Sequence, residues 1–373
     1  MSAATLERPR SRFAGRAAVV VRALAERGAA RKPPLAPRRI LVAHHLLLGD
    51  TLMLTPLLAK LRERHPDADI AMTVARASAP LYAQRPYGVR ALGWDPRHPA
   101  PQLYDEAPYD LAFVPGDNRY AWLAAAMRAR WIVAFAGDRP VTKNWPIDAL
   151  LPYPRTPGAW GDIVATLADG PPPRPCARGD WPAPPAAPFE RPTAPYAVLH
   201  VGASSPLKQW LPQRWLELAD ALAARGIAPV WSAGAGEDAI VRACDPTRKY
   251  ASYAGRVDLA QLWQLLADAR VLVAPDTGVA HLGRVVAVPT VALFGPGSAL
   301  ICGAGDFWRD MPYRAVTVDP FPCRDQTILF KRDIDWVRRC GRSVAQCPAH
   351  RCMPAIEVAM VQDAIDALLK GSP

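Results

Sequence analysis

No stretch of this chain approaches the ~20 consecutive apolar residues that a membrane-spanning helix needs. The first residues hold many arginines and no long apolar core followed by a small-residue cleavage site. A secretory leader is therefore not expected, and a cytoplasmic location is. Neither GxxxxGK(S/T) nor GxGxxG occurs, which argues against P-loop nucleotide hydrolysis and dinucleotide-dependent redox chemistry. No basic region is interleaved with aromatics and no reader motif is present, so nucleic acid is not an expected partner. Cysteine is sparse outside one segment. Cys176, Cys244 and Cys302 stand alone, and disulfides are not expected in a cytoplasmic protein.

What is present is a 373-residue chain, half hydrophobic and 21% charged, a composition that suits an α/β protein with core enough for two domains. Net charge is +11. Much of it lies in a basic arm over residues 1–38, which includes Arg8, Arg10, Arg12, Arg16 and Arg22. Within the arm, residues 17–24 read as a short amphipathic helix. Such an arm suits an anionic membrane surface; a disordered basic tail is the plainer alternative.

Strands then alternate with helices. Apolar runs at 40–45, 70–74, 111–114 and 131–135 predict strands, and Leu54, Leu57, Leu58 and Leu61 fall at helical spacing. This first domain is expected over 39–170. Residues 171–195 hold 10 prolines in 25 positions. Proline brings no N–H to a sheet or helix interior, so a semi-rigid linker is expected there. Alternation restarts over 196–353, with strands at 196–201, 229–231, 271–274 and 290–294. Trp215, Leu218, Ala219 and Leu222 mark one helix face; Leu259, Leu262, Trp263 and Leu266 mark another. A last helix within 354–373 is expected to pack back across the linker. The fold class is α/β, with two Rossmann-like doubly wound domains facing a central cleft, where ligands of open α/β sheets bind.

The chemistry-bearing residues gather at strand-to-helix junctions. Asp276, Thr277 and Gly278 follow the 271–274 run, and His281 comes one turn later. A helix start there offers free N–H groups and a positive dipole end to an anion; a capped helix with a core histidine fits the same residues. Gly49 and Asp50 stand before a leucine-rich helix. Asp50 serves either as an N-cap or as a carboxylate that takes a proton from an attacking hydroxyl. A helix N-terminus is expected to lower its pKa and make it a weak base. Ser204, Ser205 and Lys208 follow the 196–201 strand, with a lysine suited to a phosphate oxygen. Gly234-Ala235-Gly236-Glu237 forms a turn that suits a nucleotide base or ribose, or a plain surface turn. Gly295-Pro296-Gly297-Ser298 is a similar turn that could offer amides to a diphosphate.

Four segments, taken in order and spacing, resemble glycosyltransferase family 9, the heptosyltransferases of bacterial lipopolysaccharide assembly. They are Leu48-Gly49-Asp50-Thr51-Leu52 with Thr55-Pro56-Leu57-Leu58; His200-Val201-Gly202-Ala203-Ser204 with Lys208-Gln209-Trp210; Asp276-Thr277-Gly278 with His281-Leu282; and residues 288–296, VPTVALFGP. The resemblance covers about residues 40–370. It implies a GT-B fold, with the acceptor on the N-terminal domain and the sugar nucleotide on the C-terminal one. It also implies inversion at the anomeric carbon without a catalytic metal. Carried over, Asp50 is the general base and Lys208 with Ser204 and Ser205 holds the diphosphate. Asp276 bonds the donor sugar, Thr277, Gly278 and His281 line the site, and Glu237 matches a ribose-contacting acid loosely. Gly283-Arg284 departs from the small residues usual after His281-Leu282; Arg284 is either an extra phosphate contact or a surface charge.

Cys323, Cys340, Cys347 and Cys352 have the spacing C-x16-C-x6-C-x4-C, with His350 inside it. Four thiolates so placed can build a tetrahedral zinc or iron site; reduced, partly buried thiols are the alternative. Family members carry a similar tail ending in Cys-Met, and an autotransporter-modifying branch holds iron there. The expected function is transfer of a sugar, ADP-heptose being the favoured donor, to an anionic glycolipid core at the cytoplasmic face of the inner membrane. The alternatives are a protein acceptor, a catalytically silent nucleotide-sugar scaffold, and a sugar-nucleotide epimerase.

Overall fold

The computed structural model describes residues 12–26, 32–98, 100–349 and 351–370, which fall into two compact units. The first comprises Met1–Leu46, Leu61–Tyr153 and Phe330–Arg332; the second comprises Leu47–Lys60, Pro154–Leu329 and Asp333–Pro373.

The first unit is built on six parallel strands: β1 (Arg39–Val42), β2 (Asp69–Ala75), β3 (Val89–Trp94), β4 (Leu111–Val114), β5 (Ile132–Phe135) and β6 (Ala149–Leu151). Their order is β3-β2-β1-β4-β5-β6, the doubly wound arrangement. The inner strands are nearly continuous buried runs, as expected of a parallel sheet covered on both faces. Arg332 is fully buried in this unit. It donates to the carbonyls of Gly116 at 2.8 Å, Ala136 at 2.9 Å and Phe135 at 3.0 Å, and to Asn118 Oδ1 at 2.7 Å. One side chain thus satisfies the backbone where β4 and β5 end.

Part of the basic arm is folded. The helix Arg12–Glu26 packs on the helix Tyr120–Ala126. It buries Ala23 in the core of the first unit, and Arg22 lies over the Tyr104 ring at 4.5 Å. A disordered tail is therefore wrong for this stretch; residues 1–11 and 27–31 lie outside the described residues.

The second unit repeats the arrangement with β7 (Tyr196–His200), β8 (Ala228–Ser232), β9 (Ala251–Ser252), β10 (Val271–Pro275), β11 (Thr290–Phe294) and β12 (Tyr313–Thr317). The order is β12-β11-β10-β7-β8-β9, every pair parallel. Its core joins Trp215, Leu218, Ala219 and Leu222 of the helix Pro212–Ala224 to Leu199, Trp231, Val273 and Leu293 of the sheet.

Three expectations about organisation change. The boundary set at residue 170 falls instead between Tyr153 and Pro154, and the segment Leu47–Lys60 with Asp50 groups with the second unit. Residues 171–195 are not a free-standing linker. Their carbonyls accept hydrogen bonds from the second unit, Pro184 from Gln264, Ala187 from Gln261 and Glu190 from Tyr253, while Trp181 packs on Trp263. A proline-rich segment has few donors to satisfy but keeps its acceptors, and the helix Leu259–Ala267 together with Tyr253 supplies the donors. The last helix, Val358–Lys370, does not pack across the linker. It buries Val358, Val361, Ile365 and Leu368 in the second unit's own core.

Candidate active site

In a doubly wound sheet the ligand crevice forms where the strand order reverses, at the carboxyl ends of the strands. In the second unit that point lies between β7 and β10. A cavity of about 470 Å³ lies at their ends, within the size range of small-ligand sites. All of its lining residues belong to the second unit.

Beyond β10 the chain turns through Asp276 into the helix Gly278–Val286, with Thr277 in extended conformation as the N-cap. The Thr277 side chain makes no capping bond, and its Oγ1 is buried without a hydrogen-bond partner. An unsatisfied buried hydroxyl costs about 1–3 kcal/mol. A ligand acceptor or donor in the cavity would remove that cost. The Ala280 amide bonds the Thr277 carbonyl at 3.1 Å, while the amides of Gly278 and Val279 precede any intrahelical acceptor and add the positive end of the helix dipole.

A second helix start meets the first. Gly49 belongs to the short helix Leu48–Leu52. A Cβ on Gly49 would lie 2.8 Å from His281 Cδ2, and one on Gly278 would lie 2.9 Å from Leu48 Cβ. Two glycines therefore permit the close approach that puts Asp50 and Asp276 in one cavity. The N-cap of this helix is Leu47, so Asp50 is not the cap. The expected lowering of its pKa is also reversed: burial pushes it from 3.8 up to about 6. Lys208 and Arg339 oppose the rise and Asp276 adds to it. Asp50 keeps some surface on the cavity but is densely surrounded, so desolvation outweighs the short helix's dipole. A carboxylate with a pKa near 6 is a stronger base than an exposed one.

Lys208 ends a single turn, Pro206–Lys208. Its Nζ donates to Asp276 Oδ2 at 2.8 Å and to the Asp276 carbonyl at 2.7 Å. Asp276 is itself almost buried, with His281 Nε2 4.0 Å from its Oδ1. Glu237 accepts from the Gly234 amide at 2.7 Å, and a Cβ on Gly202 would meet its Oε2. The carboxylate is thus wedged between the turns that follow β7 and β8. Val257, Leu259 and Leu262 form an apolar wall, at a helix start fixed by the Asp258–Gln261 capping box.

Asp50, Ser204, Lys208, Glu237, Asp276, Thr277, Gly278 and His281 therefore line one cavity. Ser205 does not line it, nor does the Gly295–Ser298 turn, whose Ser298 caps the helix Ala299–Cys302. Sequence reasoning missed three neighbours. His200 lies 3.1 Å from Ser232 Oγ, and burial lowers its pKa to about 4. Cys302 also lines the cavity, and Arg339 is a cation close enough to act on Asp50. Each depends on a contact distant in sequence. Arg284 is neither a surface charge nor a lining residue; it is buried behind His281.

The candidate cysteine metal site is not assembled among the described residues. Among the described residues no three His, Cys, Asp or Glu side chains come together to hold an ion. Cys352 is buried beside Gly295 and Met353, while Cys323, Cys340 and Cys347 are partly exposed. His350 lies outside the described residues.

The class is thus an α/β protein of two doubly wound sheets, with a cavity and a helix N-terminus at the switch point of the second. Residues 177–306 match glycosyltransferase family 9 (heptosyltransferase), so the resemblance drawn from the motifs is borne out. Lipopolysaccharide heptosyltransferase 1 of Pseudomonas aeruginosa is 32% identical over 142 residues, 38% of this chain and 39% of that relative. The match thus spans about two fifths of the curated relative's length. Among solved structures, the glycosyl transferase family 9 protein of Veillonella parvula is 16% identical with a TM-score of 0.71, covering 90% of this chain and 98% of that one. The ADP-heptose lipopolysaccharide heptosyltransferase II of E. coli is 20% identical with a TM-score of 0.66, covering 89% and 98%. The iron-containing dodecameric glycosyltransferase TibC of enterotoxigenic E. coli is 16% identical with a TM-score of 0.56, covering 90% and 76%. The fold is that of these glycosyltransferases.

Proposed function

We propose that this chain is an inverting glycosyltransferase that moves a heptose from a nucleoside diphosphate, ADP-heptose first, to a lipopolysaccharide core or related envelope acceptor. The observation that carries the reading is the cavity itself: a carboxylate of raised pKa shares it with Lys208, the unpartnered Thr277 hydroxyl and a helix N-terminus. In this reading Asp50 takes the proton of the acceptor hydroxyl as its oxygen bonds to C1. The C1–O bond to the diphosphate breaks, and the electron pair leaves on the phosphate oxygen. Lys208 and the amides of the Gly278–Val286 helix meet the growing negative charge, where one such donor is worth about 3 kcal/mol. Asp276 positions Lys208 and presents its other oxygen to the sugar. Glu237 takes a ribose hydroxyl, and Val257, Leu259 and Leu262 face the base.

An anionic, amphiphilic acceptor suits the first unit. There, Val19, Val20, Trp94 and Leu123 line an apolar cavity of about 180 Å³ with Arg16 and Arg119 beside them. Among the described residues no helix is long and apolar enough to cross a membrane, so contact with the inner membrane would be peripheral.

The test is nucleotide release from ADP-heptose and from UDP-sugars, with and without a deacylated lipid core. Core-dependent ADP release that is lost in Asp50→Ala, with donor binding retained, supports the reading. Tight donor binding without turnover would favour a scaffold, and release dependent on a polypeptide acceptor would favour protein modification. An Asp50→Ala variant with full activity would remove the base.

A further inference from the structure

The Gly278–Val286 helix carries a buried cation that the mechanism above does not use. Arg284 is 2% exposed and has no carboxylate partner among the described residues within ion-pair distance. Its guanidinium donates to the carbonyls of Gly303 and Cys302 and to Nδ1 of His281. The face of Tyr313 lies 4.9 Å from it and that of Trp308 5.9 Å. Burying an arginine without a counter-charge is costly, so its contacts call for a purpose beyond packing.

We propose that Arg284 is a positioning residue that fixes the tautomer and charge of His281, so that a neutral imidazole presents its Nε2–H to the donor sugar and diphosphate. The proposal rests on the glycosyltransferase reading for what lies in the cavity, but not for the state of the histidine.

A guanidinium has five donors and no acceptor, so the ring nitrogen facing it must accept. With Nδ1 as acceptor, a neutral imidazole carries its one proton on Nε2, the atom 4.0 Å from Asp276 Oδ1. Protonating Nδ1 would set an N–H against an arginine cation. Burial, Arg284 and Lys208 all act in the same direction and hold His281 well below its usual pKa. The groups around it are Arg284 on its own helix, Asp276 beyond β10, Lys208 beyond β7, Asp50 on the Leu48–Leu52 helix, Cys302 on the Ala299–Cys302 helix and Tyr313 on β12. Asp276 and Asp50 favour a cation; desolvation and the two cations oppose it. The resulting donor adds no charge to the cavity, so it can bond an oxygen on the sugar or phosphate at any pH where Asp50 is ionised.

The test begins with nitrogen-15 NMR of histidine-labelled protein without any substrate. His281, assigned by the loss of its signals in His281→Gln, should show the Nε2–H neutral form and no titration through about pH 6.5, the ordinary imidazole range. In Arg284→Met, which keeps bulk without donors, the tautomer should become mixed and titration should return. Arg284→Lys, again donor-only, should restore the wild-type pattern. If ADP-heptose is turned over, Arg284→Met should lose roughly 100-fold in kcat with little change in KM, the size of effect that a misplaced donor gives, and gain a second acid limb in its pH profile. An Nδ1–H or cationic His281 in the wild type overturns the proposal, as does a folded Arg284→Met protein whose His281 spectrum is unchanged. Inactivity of the wild type with every donor would instead count against the enzymatic reading and leave the spectroscopic result standing.

Discussion

Replacing Asp50 by asparagine should separate catalysis from stability, with opposite signs. Burial raises the Asp50 pKa from 3.8 to about 6. Between those values the carboxyl is protonated in the folded protein and ionised in the unfolded chain, so the wild type loses stability as pH rises through that window and is level above it. A shift of about 2 units at about 1.4 kcal/mol each corresponds to about 3 kcal/mol at neutral pH. The neutral amide of the Asp50→Asn variant carries no such penalty. The variant's advantage over wild type should therefore grow between pH 4 and about 6 and then stay constant. On a unit of this size it should appear as roughly 5–10 °C in Tm. Calorimetry of both proteins at half-unit pH steps measures it, and the change with pH is independent of any fixed effect of the amide. Transfer activity should vanish in the same variant, and in the wild type it should fall about tenfold per pH unit below about 6. A stability difference that stays flat across the window would refute the burial argument and with it the raised pKa.

Thr277→Val should also divide binding from stability. Removing the unpartnered hydroxyl should stabilise the ligand-free protein by about 1 kcal/mol, while calorimetric titration should show weaker sugar-nucleotide binding. On the proposed mechanism Lys208→Met should lower kcat/KM about 100-fold in a nucleotide-release assay, by removing the cation assigned to the leaving group. Arg332→Met should cost about 3 kcal/mol in denaturant unfolding by removing the donors to the Gly116 and Ala136 carbonyls, with donor affinity unchanged because the cavity lies in the other unit.

The strands legible in the sequence are the inner ones. The runs 111–114 and 290–294 coincide with β4 and β11 to the residue, because a strand covered on both faces is an unbroken apolar word. The four that escaped, β3, β6, β9 and β12, are the edges of the two sheets. Edge strands break the pattern: β3 carries Arg90, paired with Glu106 at 2.7 Å, and β9 has two residues. The site was legible where local sequence makes it, at Asp50, Lys208 and the 276–281 turn. It was illegible where packing makes it. The sign of the Asp50 shift depends on desolvation by residues far along the chain, and the pairing of His200 with Ser232 joins two strands with no local mark. Arg284 did stand out as an irregularity of the motif, and that irregularity is where the structure places a buried guanidinium.

The segment Leu47–Lys60 leaves the first sheet's unit by sequence position and joins the second by packing. On the proposed mechanism, the base Asp50 and the leaving-group cation Lys208 therefore belong to one unit. A chimaera that exchanges residues 61–153 for those of a related transferase should therefore change which hydroxyl is glycosylated and spare the donor choice. If that chimaera behaves so, acceptor choice is separable from the chemistry, one unit carrying each.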